Sequence, residues 1–148
     1  MRFLCDVMLG KLAKYLRILG FDTIYIKSAV MLDRYRYENN PPVFFTKRRV
    51  QKSSYSNCIY INSNSTIDQL KEIKNIIEPY IDKNATVKRC IRCNSPLNVV
   101  KKDDIEGLVP EFIFHTNDIF RFCPLCNKVY WEGSHIEHMG KWVKEIIG

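Results

Sequence analysis

The chain has 148 residues, of which 46% are hydrophobic and 26% are charged; this is the composition of a folded globular protein and excludes an intrinsically disordered one. The net charge of +7 comes entirely from the first 55 residues, which hold eleven Lys and Arg against four Asp and Glu, while the remaining residues hold twelve of each. Such a local excess is expected of a protein that binds a polyanion, most simply a nucleic acid, although a solubilising basic surface has the same composition.

The first 20 residues predict a β-strand followed by an amphipathic helix. The strand is RFLCDV, residues 2–7, with Asp6 near its end, and the helix covers residues 8–20, with Gly20 at the position of a C-terminal cap. Charged residues interrupt the apolar run, which argues against a signal peptide, and no segment has the ~20 apolar residues that cross a bilayer. We therefore expect a cytoplasmic protein with no membrane partner. The helix presents leucines on one face and three cations on another: Lys11, Lys14 and Arg17.

Strands and helices alternate up to residue 81, which predicts an α/β domain with a mostly parallel sheet. Functional side chains of such sheets lie at the carboxyl ends of the strands, where Asp6 and the segment 46–49 both fall. The segment is basic and comprises Thr46, Lys47, Arg48 and Arg49, with Lys52 close behind. The further predicted elements are strands at 22–26, 43–45 and 58–62, and helices at 29–38 and 65–81, the last with Ser65 as its N-cap.

The character of the chain changes near residue 83, which predicts two domains, 1–83 and 84–148. Two Cys-x-x-Cys pairs of the second domain match a closed, four-thiolate structural zinc site: Cys90, Cys93, Cys123 and Cys126. Two disulfides are the alternative, which a cytoplasmic location disfavours. The other two cysteines, Cys5 and Cys58, lie in apolar strands and are expected in the core.

Asparagine follows the second cysteine of each pair, at Asn94 and Asn127, where a zinc knuckle needs a left-handed backbone. Because 29 residues separate the two pairs, we expect an extended hairpin between them. A short C-terminal helix is expected around Trp142, Val143, Ile146 and Ile147. His135 and His138 are candidates for packing or phosphate contacts, since four cysteines already complete the zinc site.

Motifs along nearly the whole chain resemble the Mut-seven C-terminal RNase domain, a PIN-like family. They are CDVMLGKLAKYLRILGFDT at the start, IDQLKEI in the third helix, and CIRCNSPL, VPEFIFH and FRFCPLCNKVYWEGSHIEHM in the ribbon. The resemblance implies a PIN-like parallel sheet with flanking helices, followed by a small β zinc ribbon and a C-terminal helix. It also implies a ribonuclease that uses Mg²⁺ or Mn²⁺ held by converging carboxylates.

The chain departs from the family pattern at the acids. Asp6 matches the first acid and is a vestigial or weak catalytic residue. The second acid is expected near residues 29 and 30, which are Ala29 and Val30, and the third is replaced by Arg48. Arg repels a metal cation but suits phosphate.

These departures favour a non-catalytic RNA-binding protein, possibly a component of a ribonucleoprotein particle such as the ribosome, with ribosomal RNA and ribosomal proteins as partners. The alternative is an active endoribonuclease with an altered acidic site built from Asp6, Asp33 and Glu38. A third hypothesis is a protein-binding adaptor. The expected phosphate contacts are Lys11, Lys14, Arg17, Lys47, Arg48, Arg49 and Lys52. If exposed, Phe114, Tyr130 and Trp131 would anchor the partner of the adaptor, although the favoured expectation is that they form the small core of the ribbon.

Overall fold

A four-stranded parallel sheet forms the first part of the molecule, in the strand order β2-β1-β3-β4. The structure is a computed structural model that describes residues 1–49, 55–81 and 87–148. The strands are β1 (Arg2–Asp6), β2 (Asp22–Ile26), β3 (Val43–Thr46) and β4 (Cys58–Tyr60). The helices around the sheet are α1 (Gly10–Ile18), α2 (Ala29–Arg36), α3 (Thr66–Glu72) and α4 (Lys74–Ile77), with 3-10 turns at Val7–Leu9 and Glu78–Tyr80.

Strand β1 is central, and its side chains alternate between two buried layers. Phe3 and Cys5 pack into the layer formed with α1, whereas Leu4 packs into the layer formed with α2. Because both faces are covered, β1 reads as a continuous apolar run. The predicted α/β class and the parallel sheet are confirmed.

Two helices differ from their predicted extents: one begins later and the other is split. Helix α1 begins at Gly10 rather than residue 8, because Asp6 accepts a hydrogen bond from the Met8 backbone N–H and caps a 3-10 turn first. The helix is followed by Gly20, whose φ of +96° confirms the predicted glycine stop. The predicted helix at 65–81 is split into α3, α4 and a 3-10 turn. Its cap is confirmed, since Ser65 Oγ accepts from the Asp68 N–H at 3.2 Å.

A second, antiparallel sheet has the order β5-β6-β7. Its strands are β5 (Asn98–Val100), β6 (Phe120–Cys123) and β7 (Lys128–Trp131). The connection between β5 and β6 was expected to be an extended hairpin, but it contains a 3-10 turn at Lys102–Ile105 and helix α5 (Glu111–Thr116). This segment buries Ile105 and Val109 against Phe120 and so extends the core of the ribbon. Tyr130 is buried, and Phe114 and Trp131 pack half-buried on the ribbon core, so none is a free anchor for a protein partner.

The C-terminal helix α6 (His135–Ile147) is confirmed, and its 13 residues make it longer than expected. Val143 and Ile147 are buried in the same core as Phe3, and the Trp142 ring lies 6.2 Å from that of Tyr15. The helix therefore covers α1 and α3 of the first sheet. The predicted domain boundary at 83 lies outside the described residues and stays a prediction. None of the helices found in the described ranges combines the length and hydropathy that a membrane span requires.

Candidate nucleic-acid interface and metal centre

A cleft of about 220 Å³ lies at the carboxyl ends of β1, β2 and β3. We call it the strand-end cleft. Parallel strands end at the same edge of a sheet, so side chains that follow different strands meet there. The polar and small residues of its lining are Asp6, Lys27, Ser28, Ala29, Thr46 and Arg48.

Asp6 is buried in this cleft, with 6% of its surface exposed, and its carboxylate is already bonded. Oδ1 accepts from the Met8 N–H at 2.8 Å, and Oδ2 accepts from the Thr46 hydroxyl and from the Lys47 N–H at 2.8 Å. A carboxylate offers about four acceptor sites, so roughly one remains, on Oδ1. Asp6 thus stabilises the ends of β1 and β3 and retains little capacity for a metal ion.

The other candidate acids are not brought to Asp6. Asp33 is 2.9 Å from Arg36 on α2, and Glu38 pairs with Arg2. Neither lines the strand-end cleft, in which Asp6 is the only acid among the lining residues that the structure describes. The altered acidic site proposed from the sequence is therefore not assembled.

The expected position of the second acid holds no carboxylate, and Asp22 lies at the other edge of the sheet. Ala29 lines the cleft where the second acid was expected, while Val30 points to solvent with 72% of its surface exposed. In the register of β1 and β2, Asp22 lies opposite Arg2 at the amino end of the sheet, whereas Asp6 lies opposite Ile26 at the carboxyl end. Asp22 therefore lies at the other edge of the sheet and does not line the cleft.

Arg48 lines the same cleft as Asp6. The Arg48 N–H donates to Thr46 Oγ1 at 3.0 Å, which fixes the backbone at the strand end. Its side chain is exposed and forms no ion pair within the described part of the chain. Lys27 follows β2 directly and also lines this cleft, so its lining includes two cations. Sequence reasoning missed Lys27, although its place after β2 was a usable signal.

Lys47 does not point its charge to solvent. Its ammonium donates three hydrogen bonds of 3.0 Å, to the carbonyls of Asn62 and Ser63 and to the Asn64 side chain. Glu72 fixes the same loop by accepting from the N–H groups of Asn62 and Ser63 at 2.8 and 3.0 Å. Burial works to raise the pKa of Glu72, but these bonds outweigh it and the pKa is lowered. Lys47 therefore holds the loop after β4.

Three of the remaining predicted cations are exposed at the surface. Lys11 and Lys14 are exposed on α1, and the Arg49 guanidinium lies 5.4 Å from the centre of the Tyr60 ring. These three are accessible to a phosphate. Lys52 lies outside the described residues.

Arg17 is a structural residue. Its guanidinium donates to the carbonyl of Thr23 at 3.0 Å and to those of Ile91 and Arg92 at 2.9 and 3.3 Å. Burial lowers the pKa of Arg17, although nearby thiols and Asp22 oppose the shift. Arg17 thus joins α1 and β2 to the first cysteine pair.

A larger groove of about 840 Å³ lies between α1 and the first cysteine pair. We call it the α1–knuckle groove. The cations of its lining are Lys11, Lys14, Arg17, Lys27 and Arg92, and none of the lining residues that the structure describes is acidic. Arg92 was missed from the sequence, because only the packing of the ribbon on α1 brings it into the same groove as Lys14.

The four predicted zinc ligands are brought together. The sulfur atoms of Cys90, Cys93, Cys123 and Cys126 all lie within 4.8 Å of one another, and all six cysteines of the chain are free thiols. A tetrahedral site with Zn–S bonds of about 2.3 Å places sulfurs roughly 3.8 Å apart. The cluster therefore fits a zinc ion with four thiolates and leaves no position for substrate.

The knuckle geometry also fits a metal site. Asn94 and Asn127 have φ angles of 70° and 55°, as predicted. The Tyr130 hydroxyl donates to Cys90 Sγ at 3.3 Å and accepts from the Ile91 N–H at 3.2 Å. Burial works to raise the pKa of Cys93, but hydrogen bonds from Ser95 and neighbouring thiols lower it to about 6. These contacts favour a thiolate at Cys93. Within the cluster of free thiols, the hydrogen bond with Cys93 raises the pKa of Cys126 to about 12, and burial raises the pKa of Cys123.

The first knuckle is bonded to the parallel sheet. Asn94 Oδ1 accepts from the Thr23 N–H at 3.0 Å, and Asn94 Nδ2 donates to Asp22 Oδ1 at 2.7 Å. Asp22 therefore holds the knuckle. His135 and His138 are exposed in the first turn of α6 and are not part of the cysteine cluster.

Comparison with known families supports the resemblance seen in the motifs. The family model described as the Mut7-C RNAse domain matches residues 1–143. No curated protein and no solved structure matches the chain.

Proposed function

The chain belongs to the Mut7-C RNAse domain family, and from this premise we propose that it is an RNA-binding protein that does not cleave RNA. The observation that carries the proposal is the composition of the strand-end cleft. Its one described carboxylate, Asp6, is bonded to three donors, while Arg48 and Lys27 line the same space.

Metal-dependent phosphodiester cleavage needs several oxygen ligands around one or two Mg²⁺ or Mn²⁺ ions. Among the described residues, the four cysteines are the one group of three or more metal-binding side chains, and they suit zinc rather than these hard cations. Two cations at the cleft repel a divalent ion and attract a phosphate. The residues therefore favour binding of the RNA backbone over hydrolysis.

Zinc is proposed as a structural ion held by Cys90, Cys93, Cys123 and Cys126. When bound, it supplies folding free energy and no chemistry, because four thiolates leave no open position. The chain's own contribution is to hold the first knuckle against β2 through Asn94 and Arg17.

A ribonucleoprotein particle in the cytoplasm, such as the ribosome, is the proposed setting. Small size, a localised basic charge and a zinc ribbon support it, and ribosomal RNA and ribosomal proteins would then be partners. Co-sedimentation with ribosomal particles at low and high salt tests this setting. Protein that stays at the top of the gradient at both salt concentrations would exclude a ribosomal role.

Cleavage and binding assays test the central proposal. Wild-type protein and Asp6→Asn are incubated with labelled RNA and either Mg²⁺ or Mn²⁺, and binding is measured in parallel. We expect no cleavage by wild type above the Asp6→Asn level, and RNA binding that weakens steeply with salt. Metal-dependent cleavage that Asp6→Asn abolishes, with the variant still folded by circular dichroism, would establish the endoribonuclease alternative instead.

A further inference from the structure

We propose that the α1–knuckle groove binds single-stranded RNA, with phosphates on its cationic rim and bases on its apolar floor. The inference rests on the proposed function and specifies both the surface and the form of RNA. The volume of the groove, about 840 Å³, lies within the ~300–1,000 Å³ typical of ligand sites.

The rim supplies the positive charge. Lys11, Lys14, Lys27 and Arg92 are all exposed and line the groove. None of them forms an ion pair with an acid in the described ranges, where the salt bridges join Arg2 to Glu38 and Arg36 to Asp33. Their charges are therefore available to phosphates.

The floor is apolar and half-buried. It contains Ile24, Tyr25, Met31 and Ile91. The Tyr25 hydroxyl donates to the Val7 carbonyl at 2.6 Å, which holds the ring in place. Unstacked bases pack on aromatic and apolar side chains, whereas an RNA duplex presents phosphates and 2′-hydroxyls that gain nothing from such a floor.

The two walls of the groove are fixed to each other before any ligand binds. Arg17 reaches from α1 to the carbonyls of Ile91 and Arg92, and Asn94 bonds the first residues of β2. A preformed groove avoids the entropic cost of ordering its walls on binding.

The groove adjoins the strand-end cleft at Lys27, which lines both. A strand of RNA can therefore pass from Arg92 and Lys14, along Lys27, to Arg48. This path places the substituted acid position at one end of an extended basic track.

Fluorescence anisotropy measures the binding. The probes are a labelled uridine homopolymer of about 12 nucleotides and a labelled RNA duplex of the same length, each titrated at several salt concentrations. The groove variant is the double substitution Lys14→Glu with Arg92→Glu. The matched control, Lys71→Glu with Lys141→Glu, makes the same charge change at exposed positions that line neither cavity. Zinc content and thermal unfolding verify that both variants are folded.

For four rim contacts, the slope of log K against log salt for the single strand is expected near −3, at about −0.7 per phosphate. The groove variant should weaken binding by at least tenfold, on the order expected for two lost contacts, and reduce the slope to about −1.5. The control variant should change the affinity and the salt slope by no more than about half of the change expected for the groove variant. With 4-thiouridine in the probe, cross-links should map to residues 24–31 and 91–94.

The outcomes separate the two proposals. If wild type binds neither probe, the proposed function fails. If wild type binds RNA and the groove variant binds as tightly as the control, the groove is overturned while RNA binding stands. If the duplex binds as tightly as the single strand and loses affinity equally in the groove variant, the preference for single strands is overturned.

Discussion

Replacing Arg17 with Ala separates a structural role from an RNA contact. The sequence places Arg17 on the same helical face as Lys11 and Lys14, but its guanidinium is bonded to three backbone carbonyls. The variant leaves the carbonyls of Thr23 and Ile91 without their donors and removes the link between α1 and the first knuckle.

The expected loss follows from those bonds. Hydrogen bonds to charged groups contribute about 1.5–3 kcal/mol each, and two of the three Arg17 bonds are 3.0 Å or shorter. Part of the loss is recovered because water reaches the edge of the α1–knuckle groove. We therefore expect the free energy of unfolding to fall by about 2–3 kcal/mol, and Tm by about 5–10 °C for a chain of this size.

Urea and thermal unfolding, with zinc present, measure the effect. Lys14→Ala, one turn earlier and exposed, is the matched control and should change stability by less than about 0.5 kcal/mol. Arg17→Lys keeps the charge but lacks the guanidinium group that donates to both Thr23 and Ile91, so its free energy of unfolding should fall between those of Arg17→Ala and wild type. The reasoning is refuted if Arg17→Ala unfolds like Lys14→Ala and loses only RNA affinity.

Two further predictions concern the metal centre and the loop after β4. Cys93→Ser should abolish stoichiometric zinc binding and lower stability by several kcal/mol, because the binding energy of such sites, about 10–16 kcal/mol in zinc-finger peptides, is folding free energy; one zinc per chain with an unchanged Tm would contradict the four-thiolate assignment. In the loop after β4, burial works to raise the pKa of Glu72, but hydrogen bonds to its carboxylate hold the pKa below its usual 4.5. A carboxylate whose pKa is lower in the folded state stabilises fully above its unfolded pKa and less as the pH falls through the folded value. The stability difference between wild type and Glu72→Gln should therefore be fully present above the usual pKa of 4.5 and shrink as the pH falls below it in pH-dependent urea unfolding. A difference that stays constant as the solution is acidified would exclude the interaction.

Features set by local chemistry were predictable from the sequence. Strand β2 follows from alternation and β-branching, and the cap of α3 follows from Ser65 and Asp68. The metal centre follows from two Cys-x-x-Cys pairs, since the ligand atoms and the turn after each pair are encoded within a few residues.

The roles of individual cations were not predictable, because their partners are backbone carbonyls. Arg17 bonds Ile91, which is 74 positions away, and Lys47 bonds Ser63, which is 16 away. Every residue has a carbonyl, so the sequence carries no mark of which one a cation will reach. The groove between Lys14 and Arg92 likewise exists only once the ribbon has packed on α1.

The position of α6 has a consequence for synthesis of the protein. Val143 and Ile147 are buried in one core with Phe3 and Leu16, so this core contains residues from both extremes of the chain. During translation, the apolar surface beside α1 stays uncovered until α6 has been synthesised. At about 5–20 residues per second, the chain beyond α4 takes roughly 4–14 s to follow. During that interval the apolar face beside α1 lacks the helix that covers it, and transiently exposed apolar surface of this kind favours aggregation.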